Sequence, residues 1–141
     1  MPFAIATPYR TIARPKGDAV LVVVTEATLP PSRRGRAAFW RGVALSEADL
    51  VGRPGALGYA KRRELFGPRA WTLTVWDDVD GMRRFVGGEA HRAAIRAARA
   101  DLLGERFARF ETPASALPPP WSKALAGLDA VAPPVRSARL G

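Results

Sequence analysis

Hydrophobic and polar positions along this chain follow two periods, and their order predicts that strands and helices alternate. A β-branched run over residues 18–27 predicts a buried strand, which Pro30 and Pro31 end. Apolar residues at helical spacing predict a helix over 32–51, with Ser32 as its N-cap. Gly42 lowers the helix propensity in the middle, so the helix could break there.

The middle of the chain predicts an antiparallel hairpin. Strands over 56–64 and 69–76 flank a turn at Gly67 and Pro68. Because side chains of a strand alternate between two faces, the second strand has one apolar face and one mixed face. The apolar face carries Trp71, Leu73 and Val75, and the mixed face carries Thr72, Thr74 and Trp76. We expect the apolar face to carry the helices, and the mixed face to line a pocket or an interface.

A second helical region follows the hairpin. Aspartates within residues 77–80 favour the positive end of a helix dipole, which predicts a short helix up to about residue 86. Gly87 and Gly88 interrupt it. A further helix over 89–103 and a strand over 106–112 complete the pattern.

The resulting order, β-α-β-β-α-β, predicts an α+β fold of the ferredoxin-like kind, in which two helices cover one face of an antiparallel sheet. The other sheet face also needs cover, and we expect a second copy of the chain to supply it. Three segments follow from the pattern: an N-terminal arm over 1–16, which is either an edge strand or a loop, a domain over 17–112, and a Pro-rich extension over 113–141. The extension contains a predicted helix over 121–128, and residues from 132 onward are expected to be frayed.

Composition restricts the classes of function. The chain has 141 residues, a net charge of +9, one histidine and no cysteine. It therefore has no disulfide framework, and a structural zinc site within one chain is excluded. The apolar runs are far shorter than the roughly 20 residues of a membrane-spanning helix, so we expect no membrane segment. The absence of cysteine fits a reducing compartment, so we expect a cytoplasmic location. The arginines are spread along the chain without a groove-reading motif, so we do not expect a nucleic-acid partner.

Three stretches resemble the dimeric α+β barrel superfamily: PGALGY, TLTVWDDVDGMRRFVGGEAHRAAIR and RFARFETPASALPPPW. That group includes antibiotic-biosynthesis-type monooxygenases, haem-degrading monooxygenases and relatives of spheroidene monooxygenase, and the chain looks most similar to a bacterial branch of it. The resemblance implies a homodimeric α+β barrel that binds a small molecule. Haem-degrading members use a helical histidine as iron ligand, but their ligand position falls near Ile95 here, and the first strand carries Thr25 and Glu26 where they have asparagine.

His91, Trp76 and Tyr59 are the candidate catalytic residues. His91 shares a helical stripe with Ile95, and a neutral imidazole can move a proton or bind iron. Trp76 can stack on a planar substrate while its N–H donates a hydrogen bond, and Tyr59 can donate to a substrate oxygen. A structural role is open for each of them. The candidate substrate-binding residues are Trp40, Arg62, Thr74, Phe85, Ile95 and Arg109.

These residues lead to one main hypothesis and two alternatives. The main hypothesis is a monooxygenase-like enzyme without a cofactor. It would act on an aromatic or polycyclic molecule of secondary metabolism, in a pocket between the sheet and the second helix. The first alternative is a haem protein in which His91 is the axial ligand and the only metal-binding residue. The second is a small-molecule binding module without catalysis.

Overall fold

The computed structural model describes residues 3–131, so the predicted frayed segment from residue 132 lies outside the described residues. The strands are β1 (Ala4–Ala6), β2 (Arg10–Thr11), β3 (Ala19–Thr28), β4 (Ala56–Glu64), β5 (Arg69–Trp76) and β6 (Gly104–Pro113). The helices are α1 (Arg33–Leu50), α2 (Val79–Val86), α3 (Glu89–Arg99) and α4 (Trp121–Asp129), with a short 3-10 turn at Ala114–Ala116. None of the helices in this part of the chain is both long and apolar enough to cross a membrane.

The strands form one antiparallel sheet in the order β1-β4-β5-β3-β6, and β2 also pairs with β4. The four long strands, with α1 and the α2–α3 region between them, give the predicted α+β ferredoxin-like fold. The N-terminal arm forms edge strands and not a loop. Tyr9 lies against Gly58 of β4 so closely that a Cβ at position 58 would overlap its ring, so a side chain there would displace the arm.

The helix ends follow the local signals in the sequence. Ser32 caps α1 by accepting a hydrogen bond from the Gly35 N–H at 3.1 Å, and Asp78 caps α2 by accepting one from the Gly81 N–H at 2.8 Å. The break that Gly42 could have caused does not occur. Instead, a Cβ at Gly42 would lie 3.4 Å from the Cβ of Ala94, so the small residue allows α1 and α3 to pack closely.

The helices lie on the opposite face of the sheet from the predicted one. Helices α1, α2 and α3 cover the mixed face, on which Thr72, Thr74 and Trp76 lie. The apolar face with Trp71, Leu73 and Val75 packs instead against α4, through residues that include Ala124 and Leu128. The expected second copy was needed to cover a bare sheet face. The chain covers both faces with its own helices, so this argument for a second copy no longer applies.

A buried ion pair fastens α4 to the sheet. Glu26 of β3 is only 3% exposed and accepts hydrogen bonds from the Trp71 Nε1 at 2.9 Å and from the Arg106 guanidinium at 3.0 Å. Arg106 also donates to the Leu128 carbonyl and to the Asp129 carboxylate, both at 3.3 Å, at the end of α4. The charge of Glu26 is thus paired where it is buried.

Candidate active site

A cavity of ≈170 Å³ lies between the mixed face of the sheet and helices α1 to α3. Its floor is formed by residues of β3, β4 and β5, and its roof by side chains of the helices. Tyr59, Thr74 and Val23 are neighbours across β4, β5 and β3 in one row of that floor. The wall is mostly apolar with a few hydroxyl groups, which is the usual composition of a small-molecule site.

Two helical stripes form the roof. Helix α1 contributes Phe39, Val43, Ser46 and Leu50, which recur at a spacing of three or four residues. Helix α3 contributes His91, Ile95 and Ala98. The stripe that contains His91 therefore faces the cavity, as its spacing predicts.

His91 is more than half buried in the cavity wall, and its ring lies edge-on to that of Phe85 with 5.1 Å between the ring centres. Burial lowers the pKa of His91 below its ordinary value of 6.5, although a hydrogen bond with the Val86 backbone opposes the shift. The imidazole is therefore neutral at pH 7 and can accept a proton.

The charged residues of the cavity wall are paired with other charged residues. The Glu47 carboxylate accepts a hydrogen bond from Lys61 Nζ at 2.8 Å, and the Glu105 carboxylate accepts one from Arg99 Nη2 at 2.9 Å. Each pair cancels its own charge within the wall. An anionic ligand would find no unpaired cation among the described lining residues, so the cavity favours a neutral ligand.

Trp76 lies beneath the cavity and not on its surface. Its side chain is fully buried, its ring centre is 5.5 Å from that of Phe85, and its Nε1 donates to Thr74 Oγ1 at 2.9 Å. Its indole N–H is thus already engaged within the protein. Thr74 itself lines the cavity, as does Tyr59.

The structure brings together five of the predicted site residues and leaves four outside. The cavity is lined by His91, Tyr59, Thr74, Phe85 and Ile95, whereas Trp76, Trp40, Arg62 and Arg109 do not line it. Trp40 borders a separate shallow groove, beside Ile5 and Thr7. Arg62 lies 4.5 Å above the Trp71 ring on the sheet face that α4 covers, and Arg109 is exposed on β6, at the edge of the sheet.

Several lining residues were absent from the sequence-based set. They are Thr25 and Thr72 on the floor, Phe39 and Ser46 on α1, and Met82 on α2. The alternation in β3 and β5 could have identified both threonines, since they share a face with Thr74. The α1 residues could not be chosen by spacing alone, because Trp40 fits an equally good stripe on that helix.

The cavity does not fit a haem. Its ≈170 Å³ is close to the roughly 150 Å³ of an engineered cavity that admits one benzene ring, so a macrocycle of four pyrrole rings exceeds it. The Phe85 ring also packs against the imidazole of His91, which is the one axial ligand that the haem alternative offers. We therefore derive no step through haem iron at His91.

Several solved structures have the same fold at low identity. A candidate monooxygenase from Fusobacterium nucleatum superposes with a TM-score of 0.62 at 13% identity, over 72% of this chain and 46% of that chain. A candidate antibiotic-biosynthesis monooxygenase from Caulobacter crescentus superposes with a TM-score of 0.58 at 19% identity, over 66% and 89%. SnoaB from Streptomyces nogalater, a cofactor-independent oxygenase, superposes with a TM-score of 0.50 at 21% identity, over 67% and 92%.

These likenesses confirm the predicted resemblance at the level of the fold, which is that of the antibiotic-biosynthesis monooxygenase-like α+β structures. The chain spans about half the length of the Fusobacterium protein. No protein-family profile matches the sequence, and no curated protein matches it either. The activity has to be argued from the cavity, because a fold of this kind supports many reactions.

Proposed function

We propose that this chain is a cofactor-independent monooxygenase that uses dioxygen to oxidise a neutral phenol of one or two rings. The observation that carries the proposal is the mostly apolar cavity with the neutral imidazole of His91 in its wall. SnoaB, which has the same fold, is a cofactor-independent oxygenase, and this supports the reaction class. The cavity volume favours a smaller ligand than the polycyclic one that the sequence also allowed.

The reaction can be written for 1-naphthol with atoms and electrons balanced. His91 removes the hydroxyl proton, and the electron-rich para carbon of the naphtholate forms a bond to dioxygen. The imidazolium returns its proton to the distal oxygen, which gives a hydroperoxide. His91 then removes the hydrogen on the para carbon, the O–O bond breaks, and hydroxide leaves and is protonated to water. One naphthol and one dioxygen thus give one 1,4-naphthoquinone and one water.

The test is oxygen uptake by the purified protein with a panel of one-ring and two-ring phenols. We expect at least one phenol to consume one dioxygen per quinone formed and to incorporate one oxygen atom from ¹⁸O₂, without any added cofactor. Iron chelation should leave the rate unchanged. If no phenol of the panel supports uptake above the rate without protein, the oxygenase proposal fails, and ligand binding alone would then favour a binding module.

We further propose that the protein is a homodimer, and that it works in the cytoplasm. The dimer is supported by the edge strand β6, where Phe107 is 69% exposed on the same sheet face as the cavity. Large exposed apolar side chains on an unpaired strand edge favour association with another strand. The cytoplasmic location rests on the absence of cysteine.

A further inference from the structure

The hydroxyl of Thr74 has its hydrogen-bonding direction fixed by a buried neighbour. The indole Nε1 of Trp76 can only donate, and it donates to Thr74 Oγ1 at 2.9 Å. Trp76 is fully buried and packed against Phe85, so the indole cannot turn away. The threonine oxygen is therefore held as the acceptor of this bond.

The proton of the same hydroxyl has no acceptor within the described part of the protein. Thr74 lines the cavity, where it lies beside Tyr59 and Val23 in one row of the floor. The oxygen of such a hydroxyl already accepts a hydrogen bond from a strong donor. The ligand that it binds best is therefore one that accepts a hydrogen bond from its O–H. Thr72 also lines the cavity but has no indole partner, so its hydroxyl can either donate or accept.

We infer that Thr74 is a hydrogen-bond donor to an oxygen of the substrate, and that Trp76 is the positioning residue that makes it one. The substrate class is an aromatic molecule with a carbonyl or phenolic oxygen that faces the strand floor. This inference rests on the proposed function, because it takes the cavity as the substrate site. It replaces the direct contact between Trp76 and substrate that the sequence predicts.

Binding of two probes of nearly equal shape tests the inference without any turnover. The ketone 1-tetralone can accept a hydrogen bond, whereas the hydrocarbon tetralin cannot. Their dissociation constants are measured by calorimetry with the wild type, Thr74→Val, Thr74→Ser and the control Thr11→Val. We expect Thr74→Val to weaken 1-tetralone about five- to tenfold and to leave tetralin unchanged, which is the effect of one neutral hydrogen bond. Thr74→Ser should retain the wild-type affinity, and Thr11→Val, at an exposed position on β2 outside the cavity lining, should change the affinity for neither probe.

The role of Trp76 is tested by combining substitutions. Trp76→Phe should lower the affinity for 1-tetralone, and this loss should vanish in the Thr74→Val background, whereas a merely structural role would persist there. Equal effects of Thr74→Val on both probes, or no binding of either probe to the wild type, would overturn the inference. If Thr74 discriminates the probes but no phenol supports oxygen uptake, the inference stands and the oxygenase proposal fails. If oxygen uptake occurs but Thr74→Val has no effect on either probe, the oxygenase proposal stands and the inference about Thr74 fails.

Discussion

His91 and Thr74 together give the cavity one group that can accept a proton and one hydrogen-bond donor, both uncharged at neutral pH. Burial keeps the imidazole neutral, because the lowered pKa of His91 disfavours its charged form. The indole of Trp76 fixes the hydroxyl of Thr74 as the donor. A neutral phenol has the chemistry that both groups require, since its O–H can donate to an imidazole and its oxygen can accept from a threonine hydroxyl.

The lowered pKa of His91 predicts the pH dependence of oxidation. A general base must be unprotonated, so kcat/KM of the wild type should rise with pH, with a midpoint below 6.5, and should be flat from there to neutral pH. His91→Gln should lower kcat/KM by about 10²- to 10⁴-fold and abolish this acid limb. The matched control is Arg96→Gln, an exposed position on the same helix. An acid limb that survives in His91→Gln would show that another group titrates.

The position of a single residue was predictable from sequence where helical spacing or strand alternation alone determined the face on which its side chain lies. The helical stripe placed His91 and Ile95 in the cavity wall, and strand alternation placed Thr74 on the mixed face. Arg109 lies in the same cross-sheet row as Thr74, but it is exposed on the edge strand β6 and does not line the cavity. The order of strands in a sheet depends on pairings between distant residues, which one-dimensional spacing does not contain.

At the scale of elements, the C-terminal helix decides how the sheet is covered. The sequence predicts α4 within one residue of its observed end, yet it does not say where the helix packs. An apolar sheet face has to be covered, but its sequence does not specify which element covers it. Helix α4 packs on the apolar face, whereas α1 and α3 pack on the mixed face. That exchange leaves the cavity on the face that carries the hydroxyl groups.

The bond between Arg106 and Glu26 makes α4 sensitive to one substitution. Arg106→Met would leave the buried Glu26 carboxylate with the Trp71 N–H as its remaining partner, so the free energy of unfolding should fall by about 3 kcal/mol. Adding Glu26→Gln should restore part of the loss, because no uncompensated charge remains. Urea denaturation followed by tryptophan fluorescence measures both changes.

The control for this prediction is Arg96→Met, which removes a solvent-exposed ion pair with Glu89 and should change the free energy by no more than about 1 kcal/mol. If Arg106→Met destabilises the protein no more than Arg96→Met does, the buried pair does not hold α4 against the sheet.

At the scale of the whole molecule, β6 is the surface that best fits a second copy. The amide of Ala114 donates to the carbonyl of Asp18, so by the alternation of antiparallel pairing the even-numbered residues of β6 bond to β3 and the odd-numbered ones direct their amides outward. A two-fold axis at Phe107 would then pair the two β6 strands antiparallel. Arg109 of each copy would lie opposite Glu105 of the other, which is a self-complementary arrangement of charge.

This arrangement predicts which substitution separates the two copies. The wild type should elute with twice the 15.2 kDa mass of one chain in size-exclusion chromatography with light scattering. Phe107→Glu should give the mass of one chain, because the two new carboxylates would face each other directly at the two-fold axis. Phe66→Glu is the matched control, since Phe66 is 88% exposed in the turn between β4 and β5, away from β6.

Dissociation by Phe66→Glu but not by Phe107→Glu would move the interface to that turn, and a wild type with the mass of one chain would end the homodimer proposal. A monomeric Phe107→Glu that still binds 1-tetralone as the wild type does would show that each cavity is complete within one chain, as its lining from a single sheet and its own helices implies.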